Sequence, residues 1–330
     1  MTNKRVVLAS RPVGPVSETN FRLEEAALPR PAEGEVLVRN LWLSLDPYMR
    51  GRMSDAKSYV KGVELGEVMV GQTLGEVVES RHARLAVGDK VLTPLGWQLY
   101  GCTKDASRVD SSRAPLSYYL GLLGMPGMTA YFGLKELGEP KAGETVVVSA
   151  GSGAVGSVVG QLAKIWGARA VGIAGGREKC EYVRDELGFD ACVDYKGAGL
   201  RDQLSAACPK GVDVYFDNVG GEILDALLER MNLFGRVVVC GTIADYNSVD
   251  PYRVRNWRAI LVNRLRVRGM IVFDWKDRYG EALNALGGYL AEGRLKYKES
   301  IVHGLESAPR GLIDLLAGKN FGKQLVKLQP

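Results

Sequence analysis

Two rhythms of apolar and polar positions divide the chain. Up to about residue 120, short apolar runs alternate with turn signals. Runs at 35–39, 74–79 and 90–94 are set among Pro29, Pro31, Gly34, Gly71, Gly75 and Gly88-Asp89. Short strands broken by Gly and Pro at this frequency predict a β-rich, partly closed barrel. From about residue 121 the runs lengthen. Residues 145–150 form a continuous β-branched stretch, the pattern of a strand buried on both faces. After it, 155–166 reads as a helix, 168–174 as a strand, 179–187 as a helix and 191–194 as a further strand. Strands at 212–217 and 236–240 flank a helical pattern at 223–231. Strand–helix–strand at this spacing predicts an α/β fold: a doubly wound parallel sheet with right-handed crossovers. A helix at 282–293 follows, and strands at 297–302 and 322–328 are expected to rejoin the first domain. The pattern therefore predicts a β-rich domain over 1–122 and 298–330, interrupted by a parallel-sheet domain over 123–297.

The turn after the first long strand, Gly151-Ser152-Gly153-Ala154-Val155-Gly156, fits G-x-G-x-x-G. Alone the pattern is weak. Between a strand and a helix it is the context a dinucleotide fingerprint requires. Gly151 permits the tight turn, Gly153 lets the backbone approach a pyrophosphate, and Gly156 lets helix and strand pack closely. The next strand ends in Gly175-Gly176-Arg177-Glu178-Lys179, with no acid at its tip for a ribose 2′-hydroxyl. Cations there suit a 2′-phosphate, and Tyr195 after the third strand adds a hydroxyl, so NADPH is expected rather than NADH. Asn218, in Asp217-Asn218-Val219-Gly220-Gly221, and the backbone at Cys240, Gly241, Thr242 and Ile243 end two further strands. They serve equally as turn residues or as lining of a cofactor cleft.

Composition narrows the chemistry. Of 330 residues only two are histidine, His82 and His303, too few for a multi-histidine metal cluster plus a histidine acid/base. The net charge of +5 is spread along the chain, which does not indicate a nucleic-acid partner. Five scattered cysteines with no C-x-x-C spacing read as reduced thiols in a cytoplasmic protein. The longest apolar run is broken by glycines, serines and Gln161, so no membrane span is expected.

These residues resemble the medium-chain dehydrogenase/reductase superfamily nearly end to end. Pro29-x-Pro31-x-x-Gly34-Glu35-Val36 looks like its N-terminal barrel signature, which is GroES-like, and 150–156 like its Rossmann coenzyme turn. Within it the chain is most similar to the zinc-free branch of NADPH-dependent 2-alkenal and 2-alkenone reductases. Leu45-Asp46-Pro47-Tyr48-Met49-Arg50, Gly124-Met125-Pro126-Gly127-Met128-Thr129 and Gly318-Lys319-Asn320-x-Gly322-Lys323 carry that likeness. Val70-Gly71-Gln72 stands where the zinc branch has Gly-His-Glu, so no metal is expected. The resemblance implies that Gly153, Ala154, Val155 and Gly156 hold the pyrophosphate, and that Lys179 and Tyr195, beside Gly175, hold the 2′-phosphate. It implies that Asn218, the 240–246 loop with Tyr246, Ile271, Val272, Phe273, Asn320 and Thr129 surround the nicotinamide half. It also implies a homodimer joined through the strand at 267–271.

The reaction so implied is hydride transfer from NADPH to the β-carbon of an enone or enal, with a tyrosine hydroxyl, Tyr48 first, and the cofactor's ribose 2′-hydroxyl as hydrogen-bond donors to the developing enolate. Relatives with a second tyrosine near 271–276 differ from this chain, which reads Ile271-Val272-Phe273-Asp274-Trp275-Lys276. A zinc-free quinone reductase and a non-catalytic NADPH sensor are the competing readings.

Overall fold

The computed structural model describes residues 2–328. The chain divides into two compact units, 1–121 with 299–330, and 122–298.

The first unit opens with β1 (Thr2–Leu8), paired antiparallel with β2 (Phe21–Ala27). There follow β3 (Val36–Ser44), α1 (Tyr48–Arg52), β4 (Thr73–Ser80), β5 (Lys90–Thr93), β6 (Tyr100–Thr103) and β7 (Ser107–Arg108). The second unit then runs through α2 (Met125–Phe132), β8 (Thr145–Ser149), α3 (Gly156–Ile165), β9 (Arg169–Ala174), α4 (Arg177–Glu181) and β10 (Ala191–Asp194). It continues with α5 (Leu200–Ala207), β11 (Val212–Asp217), α6 (Gly221–Leu228), β12 (Met231–Val239), α7 (Arg258–Val262), β13 (Arg266–Gly269) and α8 (Tyr279–Ala291). The chain returns to the first unit as β14 (Glu299–His303), α9 (Ala308–Leu316) and β15 (Lys323–Lys327).

In the first unit the strands are ordered β14-β15-β3-β4-β5-β7, with β6 also on β3. β14 and β7 stand at its two ends, so the sheet is open. The late strand β15 sits between β14 and β3, and Leu325, Val326 and Lys327 pair with Ser44, Leu43 and Trp42. The core beneath gathers Leu8, Leu43, Leu45, Met49, Trp97 and Leu312, with the Phe21 and Trp97 rings stacked at 5.3 Å. Met49 is buried in that core one residue after the half-buried Tyr48, so one short helix joins the core to a surface side chain.

The second unit holds a parallel sheet ordered β10-β9-β8-β11-β12-β13. Val146, Val147 and Val148 are wholly buried, as a strand covered on both faces demands. Strand order reverses between β8 and β11, the switch point at which open α/β sheets bind ligands. One local pattern is overridden: 223–231 is helical in period, yet α6 stops at Leu228 and Met231 already belongs to β12. The Val212 N–H bonds the Arg230 carbonyl and Met231 pairs with Val212, so sheet pairing overrides helical period there. Similarly, the strand expected over 267–271 ends at Gly269, and Val272–Arg278 coils into a short helical turn.

Candidate functional site

The glycine-rich turn leaves β8 through Ala150, whose φ of 53° is a left-handed conformation uncommon for a residue with a side chain. The Gly151 N–H bonds the Ile173 carbonyl at 2.9 Å, and that of Gly153 bonds the Ala150 carbonyl at 2.8 Å. A Cβ on Gly156 would stand 2.2 Å from the Ala150 oxygen, so only glycine lets α3 start so close to the strand. Gly153, Ala154 and Val155 form the half-buried tip. Among the described residues no backbone carbonyl accepts from the Ala154 or Val155 N–H. Free N–H groups at the positive end of a helix are the donor set a pyrophosphate needs, and this cradle fits one.

One strand over, β9 ends at Ala174 and Gly175 lies under two side chains. A Cβ there would meet the Tyr195 hydroxyl and the Lys196 Cε, each at 2.9 Å. Lys179, on α4 at the end of the same strand, is half-buried. Burial, and then the Lys196 charge, hold its ammonium below the ordinary lysine value. Burial likewise raises the Tyr195 phenol. Asp194 turns its carboxylate to the Gly176 N–H (2.7 Å) and the Lys196 N–H (3.0 Å). Two cations and a hydroxyl around a glycine suit a phosphate monoester dianion. Arg177, the other cation near this tip, is exposed and paired with Glu181 at 2.6 Å. Sequence reasoning does not find Lys196, one residue past Tyr195; only that adjacency signals it.

At the switch point Asp217 is wholly buried at the end of β11. Its Oδ1 accepts from the Tyr215 hydroxyl (2.6 Å), the Gly220 N–H (2.8 Å), the Val219 N–H (3.0 Å) and the Ser149 hydroxyl (3.2 Å). Burial raises its carboxyl in spite of these donors. Asn218 donates its side-chain amide to the Ser149 carbonyl at 2.8 Å. The Cys240 and Gly241 N–H groups both bond the Asp217 carbonyl (2.8 and 3.1 Å), tying β12 to β11. Burial, with the neighbouring Asp217 charge, pushes the Cys240 thiol up to about 12, so it stays a neutral thiol. Thr242 covers Gly220, and the Tyr246 hydroxyl lies near Gly241. The Ser149–Asp217 pair, which anchors all this, carries no sequence signal beyond the aspartate itself.

Past β13, Ile271 is half-buried, Val272 is buried and Phe273 is exposed. Thr129 sits in α2, its hydroxyl donating back to the Met125 carbonyl at 2.8 Å. The fingerprint turn, Gly175, Lys179, Tyr195, Asn218, the 240–246 loop and 271–273 thus all follow the carboxyl ends of β8 through β13. Two expected residues belong to the first unit instead. Asn320 donates its amide to the Gly322 carbonyl at 2.8 Å. Tyr48 opens α1 after Asp46 and Pro47, with its ring packed on the unit's core. The Tyr119, Tyr131, Tyr215, Tyr252 and Tyr279 hydroxyls donate within the protein. That of Tyr48 has no hydrogen bond among the described residues, and burial followed by the Asp46 charge raises its phenol well above the ordinary value.

His82 lies in the turn after β4, where its Nδ1 accepts from the Arg84 N–H, and His303 ends β14 exposed. Among the described residues no three His, Cys, Asp or Glu side chains gather to hold a metal ion. No helix among them is long and apolar enough to cross a membrane.

Two family models match: an N-terminal domain of oxidoreductases over residues 4–110 and a zinc-binding dehydrogenase domain over 154–287. The chain is 47% identical to the NADPH-dependent curcumin reductase of Escherichia coli (strain K12), covering 99% of this chain and 97% of that one. It is 41% identical to the 2-alkenal reductase (NADP(+)-dependent) of Nicotiana tabacum, covering 99% and 97%. It superposes on CurA from Vibrio vulnificus in complex with NADPH with a TM-score of 0.95 at 46% identity, covering 99% of both chains. The chain belongs to the medium-chain dehydrogenase/reductase family, in the group of the curcumin and 2-alkenal reductases.

Proposed function

We propose that the protein reduces the carbon–carbon double bond of α,β-unsaturated ketones and aldehydes, with the Tyr48 hydroxyl donating to the carbonyl oxygen. The protein is an NADP-dependent oxidoreductase and its cofactor is NADP(H). The substrate named for the tobacco relative, a 2-alkenal, is such an aldehyde. In this reading Gly153, Ala154, Val155 and Gly156 hold the pyrophosphate, and Lys179, Tyr195 and Lys196 hold the 2′-phosphate over Gly175. Asn218, Cys240, Gly241, Thr242, Ile243, Tyr246, Ile271, Val272, Phe273, Asn320 and Thr129 surround the nicotinamide half. Bound NADPH supplies the hydride that reaches the β-carbon. Negative charge then gathers on the carbonyl oxygen, and a donor aimed at it lowers the barrier. The observation that supports Tyr48 is its hydroxyl, which has no hydrogen bond among the described residues although its ring packs on the core. Its raised phenol keeps the proton on the oxygen that must donate it.

The deciding experiment is NADPH depletion across enals, enones such as 3-nonen-2-one, curcuminoids and quinones. Enones and enals are expected to be the fastest substrates, with NADH far slower. Faster turnover of quinones favours the quinone reductase, and no turnover of enones or enals overturns the proposed reaction.

The protein is further proposed to act as a homodimer in the cytoplasm. Among the described residues β13 ends its sheet with one edge unpaired, and Leu233, Phe234, Trp257, Leu261, Val262 and Val267 are exposed in the second unit. An unpaired edge with exposed apolar side chains in the same unit suits isologous pairing about a two-fold axis. Sedimentation equilibrium at micromolar concentration should read twice the chain mass; a monomer mass rules the pairing out. All five thiols are free of disulfides, as suits a reducing compartment.

A further inference from the structure

We propose that Lys323 is a positioning residue for Tyr48, acting through the Leu45 carbonyl and the Asp46 carboxylate. This rests on Tyr48 being the donor proposed above. Lys323 comes from the start of β15 and is 1% exposed, an uncommon place for an ammonium. Its Nζ donates to the Leu45 carbonyl at 2.8 Å and to Asp46 Oδ1 at 2.5 Å. The Ser44 hydroxyl donates to the other carboxylate oxygen, Oδ2. Asp46 is itself buried, so both charges are withdrawn from water.

Stability alone does not account for such a pair. Buried ion pairs are commonly matched or bettered by apolar residues of similar size. What the pair fixes is the exit of the chain from the sheet. The β15–β3 ladder reaches Ser44, and one more bond runs from the Leu45 N–H to the Gln324 carbonyl at 3.2 Å. Beyond that point the strand leaves its neighbours, and the Lys323 ammonium takes over. It holds the Leu45 carbonyl and the next side chain, Asp46, while the Asp46 carbonyl accepts from the Met49 N–H at 3.1 Å and so starts α1. Tyr48 lies two residues past a carboxylate clamped on both oxygens. The ammonium also offsets a negative charge that would otherwise oppose the developing enolate at the Tyr48 hydroxyl. The second carboxylate whose charge acts on the ammonium, Glu299 on β14, is already engaged by the Ser117 hydroxyl at 2.9 Å. Two motifs from opposite ends of the sequence, around Asp46 and Lys323, are thereby one structural device.

A double-mutant cycle on the full-length protein tests this, with NADPH and an enone as substrates: wild type, Tyr48→Phe, Lys323→Met and the two combined. Lys323→Met is expected to lower kcat about 10- to 100-fold, the cost of a misplaced catalytic group, with the KM for NADPH unchanged. In the Tyr48→Phe background the same substitution is expected to cost nothing further. Equal losses in both backgrounds, or wild-type kcat for Lys323→Met, overturn the positioning role while leaving Tyr48 in place. Full activity of Tyr48→Phe overturns the donor and the positioning role together. Should Lys323→Met fail to fold, Asp46→Asn/Lys323→Met, which leaves no unpaired charge, enters the cycle with the same expectation. If that variant fails to fold as well, Lys323 is structural and the proposal falls.

Discussion

Tyr48→Phe is expected to lower kcat for enone reduction by about 10²- to 10³-fold, the usual cost of removing one preorganised donor to an oxyanion. The substitution deletes a single oxygen that has no hydrogen bond among the described residues, so it leaves no partner there unpaired. The phenylalanine ring keeps the packing of the tyrosine ring on the core, and thermal stability should stay within a few degrees of wild type. The KM for NADPH should not move, since no cofactor contact is proposed for this residue. The pH profile gives a second check. Burial and the Asp46 charge raise the phenol above its ordinary value, so the hydroxyl keeps its proton through neutral and mildly alkaline solution. The wild-type kcat should therefore show no alkaline limb from this group below about pH 10. Retention of full kcat in Tyr48→Phe would remove the tyrosine from the chemistry.

The second large effect is expected at Lys179. Lys179→Ala should raise the KM for NADPH by about 10- to 100-fold, corresponding to roughly 1.5–3 kcal/mol for a hydrogen bond between charged partners. The KM for NADH should stay unchanged, because only NADPH carries the 2′-phosphate. The loss is partial because Lys196 and Tyr195 remain over Gly175. Repulsion in the free protein limits the loss as well. Lys196 disfavours the charged Lys179 until an anion arrives, so removing either cation also removes a strain that the anion would otherwise relieve. Parallel rises in both KM values would mean that Lys179 supports the fold and not the phosphate.

Much of this is legible in the sequence, for identifiable reasons. The β-branched run at 145–149 and the glycines behind it are locally determined. A strand buried on both faces and a turn that admits no Cβ leave little choice of residue. The choice of phosphate over ribose hydroxyl is legible as an absence, the missing acid after β9. What stays hidden depends on contacts distant in sequence. Lys196 is an ordinary loop lysine until the fold sets it over Gly175. The Ser149 hydroxyl becomes meaningful when β11 lies beside β8 and Asp217 accepts from it. Lys323 and Asp46 each sit in a recognisable motif, yet nothing in either motif points to the other. The end of α6 escapes a local reading because the 223–231 period is helical, and only pairing with Val212 turns Met231 into a strand.

The place of β15 between β14 and β3 has a consequence for how the molecule is made. A ribosome finishes residues 1–121 long before it reaches Lys323, and the whole second unit lies between. At roughly 5–20 residues per second the gap lasts on the order of 10–40 s. During that time the Trp42–Ser44 end of β3 lacks its β15 partner and the Asp46 carboxylate its Lys323 counter-ion. The second unit, continuous in the chain, is free of this delay and can assemble as it emerges. The second unit is thus complete in the chain before the first, and the Lys323 contacts to the turn that carries Tyr48 can form only once β15 has emerged.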